Sequence, residues 1–460
     1  MKRVFIFSSH PLFGGCVEAL LGGDDELRIV GREKDLAKAI DQVRVLQPDV
    51  IIVDSNDLEA SRALAMNCVL KEGLQPRIVG LNVRDNKFFV CKSQIGTIDE
   101  LKDFLETVKS ENGATHSTVP SPSLGSGGGV KDRHGRTLDY LRVSITDRCN
   151  LRCVYCMPPT GVPYKPRDAI LHSEEIVRMV EAAAGIGFRT IRLTGGEPLV
   201  RKNVVGLVRR LAAIPGIVQV TMTTNATLLG ACASDLANAG LARVNISLDS
   251  LRPERFRRIT RQGNLESVWQ GIKAAEAAGL SPLKINMVVV RGFNDDEAVD
   301  FARLTLQHPW HIRFIEVMPV AGVSDWGADM PKSGERFIPA VEIRQRLQVL
   351  GALQPEEGPR GNGPARYYRL PNALGTVGFI NPISEHFCNS CNRMRLTADG
   401  YLRPCLFSDE GIYCKPALAN GASLSELQSL IRLASDIKPE QRSSLASDPV
   451  NGIAMSAIGG

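Results

Sequence analysis

Apolar runs alternate with helical stripes twice along this chain, on a short beat over the first hundred residues and on a longer one from about Asp139. In the first stretch Val4 to Phe7, Leu27 to Val30, Val50 to Val53 and Ile78 to Leu81 are short apolar-rich runs of the kind that buried strands carry. Between them Leu36, Ile40, Val43 and Leu46 recur at helical spacing on one face. A fifth run, Phe88 to Val90, precedes Thr97-x-x-Glu100, a capping box that would open a stripe of Ile98, Leu101, Leu105 and Val108. This order predicts a flavodoxin-like, doubly wound α/β domain over residues 1–110.

The pattern then stops. From Ser117 to Gly129 the chain is mostly Ser, Pro and Gly, with little to bury, and residues 111–134 are read as a flexible linker. Beyond it, strand-like runs at Leu141 to Ile145, Thr190 to Leu193, Val218 to Thr223, Arg243 to Leu248, Leu283 to Val289 and Ile312 to Glu316 alternate with helical stretches. Two of those helices are Glu174 to Ala184, with Ser173 as the expected N-cap, and Leu265 to Ala278. Such units predict a partial (β/α)6 TIM-type barrel over residues 135–332, whose reacting groups sit on loops after the strands. After about Ser333 the pattern changes to shorter strands, among them Arg366 to Leu370, Thr376 to Ile380 and Tyr401 to Arg403. Residues 333–460 are therefore expected to form an α+β carboxy-terminal domain.

Composition narrows the function classes. With 43% hydrophobic residues in 460 there is material for ordinary cores, and a formal charge of +5 does not call for nucleic acid. Met1-Lys2-Arg3 precedes only a four-residue apolar run, too short for a signal-peptide core or a membrane span, so a cytoplasmic protein is expected. Eleven cysteines, an odd number, argue against a disulfide framework and for metal or redox use.

Six of those cysteines fall into two incomplete sets. Cys149, Cys153 and Cys156 crowd one segment directly after the first barrel strand, and Cys388 and Cys391 precede Cys405 in the carboxy-terminal region. Thiolates favour zinc or iron–sulfur centres, and three of them leave one position open for something that reacts. Spacing alone leaves a catalytic iron–sulfur cluster, a zinc site and unrelated thiols all open.

Tyr155 before the last cysteine of the first set, and Thr194-Gly195-Gly196-Glu197-Pro198 after the second strand, resemble the radical S-adenosylmethionine (SAM) superfamily. With Asn392-Arg393-Met394-Arg395-Leu396 after Cys391 and a Gly459-Gly460 end, the stretch from about Asp139 to Gly460 is similar to the GTP 3′,8-cyclase family of molybdenum cofactor biosynthesis. The resemblance implies two 4Fe-4S clusters, one on Cys149, Cys153 and Cys156 and the other on Cys388, Cys391 and Cys405. It puts SAM beside Tyr155, Gly196, Ser247 and Met318, with Gly196 bare so that the ligand can approach the backbone. GTP would be held by Arg142, Arg192, Thr223, Lys284, Arg393, Met394 and Arg395, the first four expected at strand ends facing the mouth. Arg393, Arg395, Gly459 and Gly460 would assist the radical steps. The implied reaction removes the ribose 3′ hydrogen, joins that carbon to guanine C8 and reduces the product by one electron. A flavodoxin- or ferredoxin-type reductant and handover to cyclic pyranopterin monophosphate synthase are implied partners, and a homodimer is kept open. Where the family commonly has Thr-Thr-Asn-Gly this chain has Thr223-Thr224-Asn225-Ala226, and alanine resists the positive φ that glycine tolerates, so a slightly different loop is expected. A peptide-modifying radical SAM enzyme with an auxiliary cluster and a non-catalytic redox sensor are the competing readings.

Phe7-Ser8-Ser9-His10-Pro11-Leu12 and Pro48-Asp49-Val50-Ile51-Ile52-Val53-Asp54 resemble bacterial response-regulator receiver domains, with Asp54 at the phosphorylated position and Lys92 as the strand-five lysine. Receivers hold magnesium with an acidic pair after the first strand, whereas Ser8-Ser9-His10 supplies no carboxylate for a hard cation. The first domain is therefore read as a receiver-like scaffold without efficient phosphorylation, or as an appended dimerisation or docking module. Incubation with acetyl phosphate and magnesium is expected to leave Asp54 without stoichiometric label in a phosphoryl-transfer assay; full labelling would overturn this.

Overall fold

The structure, a computed structural model, describes residues 2–8, 17, 21, 27–54, 77–82, 87–90, 94–97, 129–318, 326–327, 330–358, 363–408 and 410–441. Lys92, the expected helix over 98–108, most of the linker, Gly459 and Gly460 lie outside them, as does the side chain of Asp54. Contacts divide the chain into two compact units, Met1–Gly125 and Ser126–Gly460.

In the first unit β1 (Lys2–Phe7), β2 (Leu27–Glu33), β3 (Val50–Asp54) and β4 (Arg77–Asn82) lie parallel in the order β2-β1-β3-β4. Alternation along β1 and β3 buries both faces. Val4, Ile6, Val50 and Ile52 pack with Val17 and Leu21, while Phe5, Phe7, Ile51 and Val53 pack on Ala39 and Val43 of α1 (Leu36–Leu46). The Asp35 carboxylate caps α1 by accepting from the Lys38 N–H at 3.0 Å. The expected fifth strand is present as β5 (Lys87–Val90), but it runs antiparallel to β4, and β6 (Gln94–Thr97) is antiparallel to it in turn. The reason is connection length: the residues between Asn82 and Lys87 are too few for the crossover that a parallel strand needs. Thr97 ends β6, and the helix it was expected to cap lies outside the described residues.

The second unit opens with a hairpin, β7 (Val130–Lys131) and β8 (Thr137–Leu138), and then builds one large sheet. Its parallel centre is β9 (Tyr140–Ser144), β10 (Thr190–Thr194), β11 (Gln219–Thr224), β12 (Leu241–Ser247), β13 (Lys284–Val289) and β14 (His311–Glu316), each beside the next. These match the six runs read from the sequence to within a residue or two. The intervening helices α2 (Ser173–Gly185), α3 (Val204–Ala212), α4 (Ala233–Asn238), α5 (Pro253–Thr260), α6 (Leu265–Ala277) and α7 (Ala298–Gln307) bury apolar stripes such as Ile176, Met179, Val180 and Ala183 on α2. The start of α2 differs from expectation. His172 is its N-cap, with its N–H donating to the Glu175 carboxylate at 2.6 Å, while Ser173 Oγ accepts from Arg201.

The carboxy-terminal region adds α8 (Ala340–Leu347), β15 (Gln354–Glu356), β16 (Arg366–Arg369), β17 (Thr376–Ile380), β18 (Arg393–Leu396), β19 (Tyr401–Arg403), β20 (Ile412–Tyr413), α9 (Lys415–Ala419) and α10 (Leu424–Asp436). Its strands join the barrel sheet at both edges: β17 lies parallel to β14, and β18 parallel to β9. Among the described residues no pairing joins β17 to β18, so the barrel stays open along that seam.

Candidate functional site

Two loops rise from neighbouring barrel strands and are tied to each other by main-chain bonds. The segment after β9 carries Cys149, Cys153 and Cys156, and the segment after β10 carries Gly195-Gly196-Glu197. The Gly196 N–H donates to the Thr146 carbonyl at 2.9 Å and the Glu197 N–H to the Arg148 carbonyl at 2.8 Å. The cysteine segment is also fixed from outside, since the N–H groups of Arg152 and Val154 donate to carbonyls at the end of α5. Arg261, at φ 62, donates from its guanidinium to the Arg152 and Met157 carbonyls at 2.9 Å each. These bonds leave the three thiols on a preshaped turn.

Gly196 has a reason to be glycine besides the expected one. A Cβ there would stand 2.4 Å from the Arg148 carbonyl oxygen and 3.0 Å from Cys149 Cβ, so the close approach that forbids a side chain is with the cysteine segment. Ala226 adopts φ 62, the left-handed conformation expected to demand glycine. That conformation costs about 1–2 kcal/mol for a residue with a Cβ. It is held by the Ala226 N–H donating to Thr224 Oγ1 at 3.0 Å and by complete burial of the methyl group. The Thr223 loop therefore makes the turn despite the substitution.

All six clustered thiols line one cavity of about 310 Å³, from two sides, and none is in a disulfide. The cavity is also lined by Tyr155, Gly196, Ser247 and Met318, and by Arg142, Arg192, Thr223, Arg393 and Arg395. Met394 and Lys284 are not among its lining residues. Met394 is fully buried on the opposite face of β18, as alternation with Arg393 and Arg395 requires. Lys284 is the first residue of β13, 3% exposed, and Arg142 and Arg192 are mid-strand. Of the four expected at strand ends facing the mouth, only Thr223 is near one. The cations point inward at alternating positions along the barrel strands rather than sitting on the loops.

Strand register turns these positions into a belt. Arg395 pairs with Arg142 across β18 and β9, and Arg142 with Arg192 across β9 and β10. Arg313 on β14 extends it, paired with Asn286 on β13, and its Nε has no hydrogen-bond partner. Burial and mutual repulsion lower the pKa of three of these arginines: Arg192 and Arg395 fall to about 10, and Arg142 falls well below its ordinary value through desolvation and the Arg395 charge. Lys284 falls to about 6, through desolvation and then Arg313, Arg243 and Arg192. A cluster of this kind accepts a polyanion.

Acidic groups occupy the other side. Glu197 is buried and accepts from Thr224 Oγ1 at 2.7 Å and the Asn225 N–H at 2.7 Å, yet desolvation raises its pKa to about 7. Asp249 accepts from the Tyr155 hydroxyl at 2.5 Å and is raised to about 6 by desolvation. Sequence reasoning quoted Glu197 without giving it a role and missed Asp249 and Arg313; strand-end position after β12 and inward register on β14 are the signals that point to them.

The two thiol sets differ in charge environment. Burial pushes Cys149 up to about 11 and raises Cys153 well above its ordinary value. At Cys391 burial acts in the same direction, but Arg393 and Lys438 outweigh it and the thiol falls to about 6. Arg393 donates to Cys391 Sγ at 3.6 Å and lies 4.8 Å from the centre of the Phe387 ring. Among the described residues no three Cys, His, Asp or Glu groups converge on a single ion.

A barrel sheet whose first loop carries CxxxCxxC, beside a buried Gly-Gly-Glu loop, defines a radical SAM enzyme. Residues 143–305 match the Radical SAM superfamily, and residues 310–444 match Molybdenum Cofactor Synthesis C. The GTP 3′,8-cyclase of Moorella thermoacetica is 54% identical over 312 residues, covering 68% of this chain and 94% of that protein. That of Pelotomaculum thermopropionicum is 51% identical over 313 residues, covering 68% and 94%. Among solved structures, Streptococcus suis SuiB bound to S-adenosylmethionine is similar at 14% identity with a TM-score of 0.45, covering 65% of this chain and 72% of that one. The chain belongs to the GTP 3′,8-cyclase family.

Gly196→Ala is expected to push the Arg148–Cys149 peptide aside and to destabilise the protein by about 1–3 kcal/mol. Chemical denaturation reads this as a lower midpoint, and an unchanged midpoint would show that the contact yields freely.

Proposed function

We infer that this chain is a radical SAM GTP 3′,8-cyclase, converting GTP to (8S)-3′,8-cyclo-7,8-dihydroguanosine 5′-triphosphate in the first step of molybdenum cofactor biosynthesis. The observation that carries this reading is one cavity bounded by two three-cysteine sets, with a buried cationic belt on its wall. The cofactors are SAM and two 4Fe-4S clusters.

In this reading Cys149, Cys153 and Cys156 hold the first cluster and Cys388, Cys391 and Cys405 the second. Donor chemistry supports the fit, since each set offers three thiols and so leaves one cluster position for a small molecule. When bound, the reduced first cluster and SAM supply a 5′-deoxyadenosyl radical that removes hydrogen from the ribose. Glu197 and Asp249 lie where a positively charged ligand would draw off their protons, and SAM carries an ammonium and a sulfonium group. Tyr155, Ser247 and Met318 complete that end of the pocket. Arg142, Arg192, Arg393 and Arg395 take the triphosphate, with Thr223 as a hydroxyl contact, and guanidinium forks suit phosphate oxygens. Lys284 and Arg313 add charge from beneath. Gly459 and Gly460 assist the radical steps.

The electron comes from a flavodoxin- or ferredoxin-type protein, the product passes to cyclic pyranopterin monophosphate synthase, and the enzyme works in the cytoplasm, alone or as a homodimer. No helix among the described residues is long and apolar enough to cross a membrane. The first unit is a receiver-like scaffold. Four parallel strands in the order β2-β1-β3-β4, with Asp54 ending β3, support that assignment.

Anaerobic reconstitution with dithionite, SAM and GTP is expected to yield 5′-deoxyadenosine and the cyclic nucleotide together. 5′-Deoxyadenosine formed without the cyclic product, on any nucleotide, would sink the assignment. A pH effect follows from Lys284. Held near 6 in the free protein, it is neutral at pH 8, and a bound triphosphate raises its pKa, so binding takes up a proton. GTP affinity is expected to weaken as pH rises above 6, by at most about tenfold per unit from this group. Calorimetry from pH 6 to 8.5 should show Lys284→Met taking up fewer protons than the unmodified chain, by about half a proton at pH 6 and approaching one at pH 8. Equal uptake would exclude the lysine from the binding reaction.

A further inference from the structure

Two buried cations behind the second thiol set do not line the cavity. Lys438 lies two residues beyond α10 and is 2% exposed. Its ammonium donates to the Arg393 carbonyl at 2.8 Å and the Pro404 carbonyl at 2.6 Å, and its third donor meets Cys391 Sγ at 3.6 Å. An ammonium has three donors, and all three are used. Arg136, in the β7–β8 hairpin, is 9% exposed and pairs through Nε with the buried Asp132 carboxylate at 2.6 Å. Its Nη1 donates to the Cys388 carbonyl and the Glu440 carbonyl at 2.9 Å each, and its Nη2 to the Pro439 carbonyl at 2.7 Å.

Every segment carrying a thiol of this set is thereby gripped. Cys388 is held through its own carbonyl, Cys391 through its sulfur and the carbonyl two residues on, and Cys405 through the carbonyl of the residue before it. The two cations are joined by chain as well, because Lys438 is followed directly by the carbonyls that Arg136 holds. They differ in charge balance. Asp132 neutralises Arg136, whereas no carboxylate among the described residues lies within ion-pair distance of Lys438.

We propose that Lys438 and Arg136 form a clamp that positions Cys388, Cys391 and Cys405, and that the Lys438 charge beside Cys391 raises the reduction potential of the cluster they hold. The proposal rests on the reading of those thiols as cluster ligands. Hydrogen bonds to cluster sulfur and nearby net charge set such potentials, and a positive neighbour favours the reduced, more negative form. Partners behind the ligands also set how tightly the metal is kept. Lys438 is a positioning residue and has no contact with substrate in this account.

The test compares the full chain and its Lys438→Met variant, both reconstituted anaerobically, by iron content, chelator challenge and redox titration followed by electron paramagnetic resonance. Met keeps length and burial while removing the donors and the charge. The variant is expected to lose iron from the second set to a chelator roughly 10- to 100-fold faster. The iron that remains there should have a lower midpoint potential, with the first cluster's iron and potential unchanged. Unaltered retention and potential in the variant, beside two clusters in the unmodified chain, would overturn the clamp alone. A single cluster in the unmodified chain would overturn the clamp together with the reading it rests on. Loss of both clusters with global unfolding, read by circular dichroism, would make Lys438 a fold element and overturn its cluster role.

Discussion

The architecture depends on keeping like charges together inside a barrel. Parallel register sets Arg395, Arg142 and Arg192 side by side on three adjacent strands, and burial strips away the water that would screen them. Hydrophobic packing behind the strands must therefore hold a wall that its own interior charges push apart. Fully buried Ile191, Leu193, Val143 and Met222 alternate with the inward polar positions and supply that packing. A triphosphate turns the same repulsion into attraction, so the belt costs stability in the free protein and contributes affinity in the loaded one.

Opposite signs are kept apart in the same cavity. Glu197 and Asp249 stand near the first thiol set, the arginines near the second and across the belt. Neither group neutralises the other, and each is left to meet a ligand of its own sign preference. The cysteine turn is held by backbone bonds to β10's loop and to α5, and by Val154, which packs with Ile259, Val290, Phe293, Val317 and Trp326. Its shape is therefore set before any metal arrives.

Much of this was legible in the sequence because period and spacing are local. The six central strands, both three-cysteine sets and the Gly-Gly-Glu loop follow from apolar runs and motif positions. What was missed is equally physical. Met394 was given a ligand role although strand alternation sends it away from Arg393 and Arg395. Lys284 was placed at the mouth end of its strand although the run Leu283 to Val289 already set it near the start. The fifth run was read only as one more strand of a doubly wound domain, and the four residues before it, too few for a crossover, make it antiparallel. Asp249, Lys438 and Arg136 act through partners distant in sequence, which no local pattern announces.

Pairing of β18 with β9 has a consequence for biogenesis. The strand that borders the first barrel strand follows all the other barrel strands in sequence, so the whole barrel must be made before that edge can be covered. Until then the cysteine turn after β9 has one wall missing, and the second triad does not yet exist. Loading of the second triad is thus ordered behind synthesis of the barrel, and a nascent chain that stops short of β18 offers the assembly machinery only half a vessel.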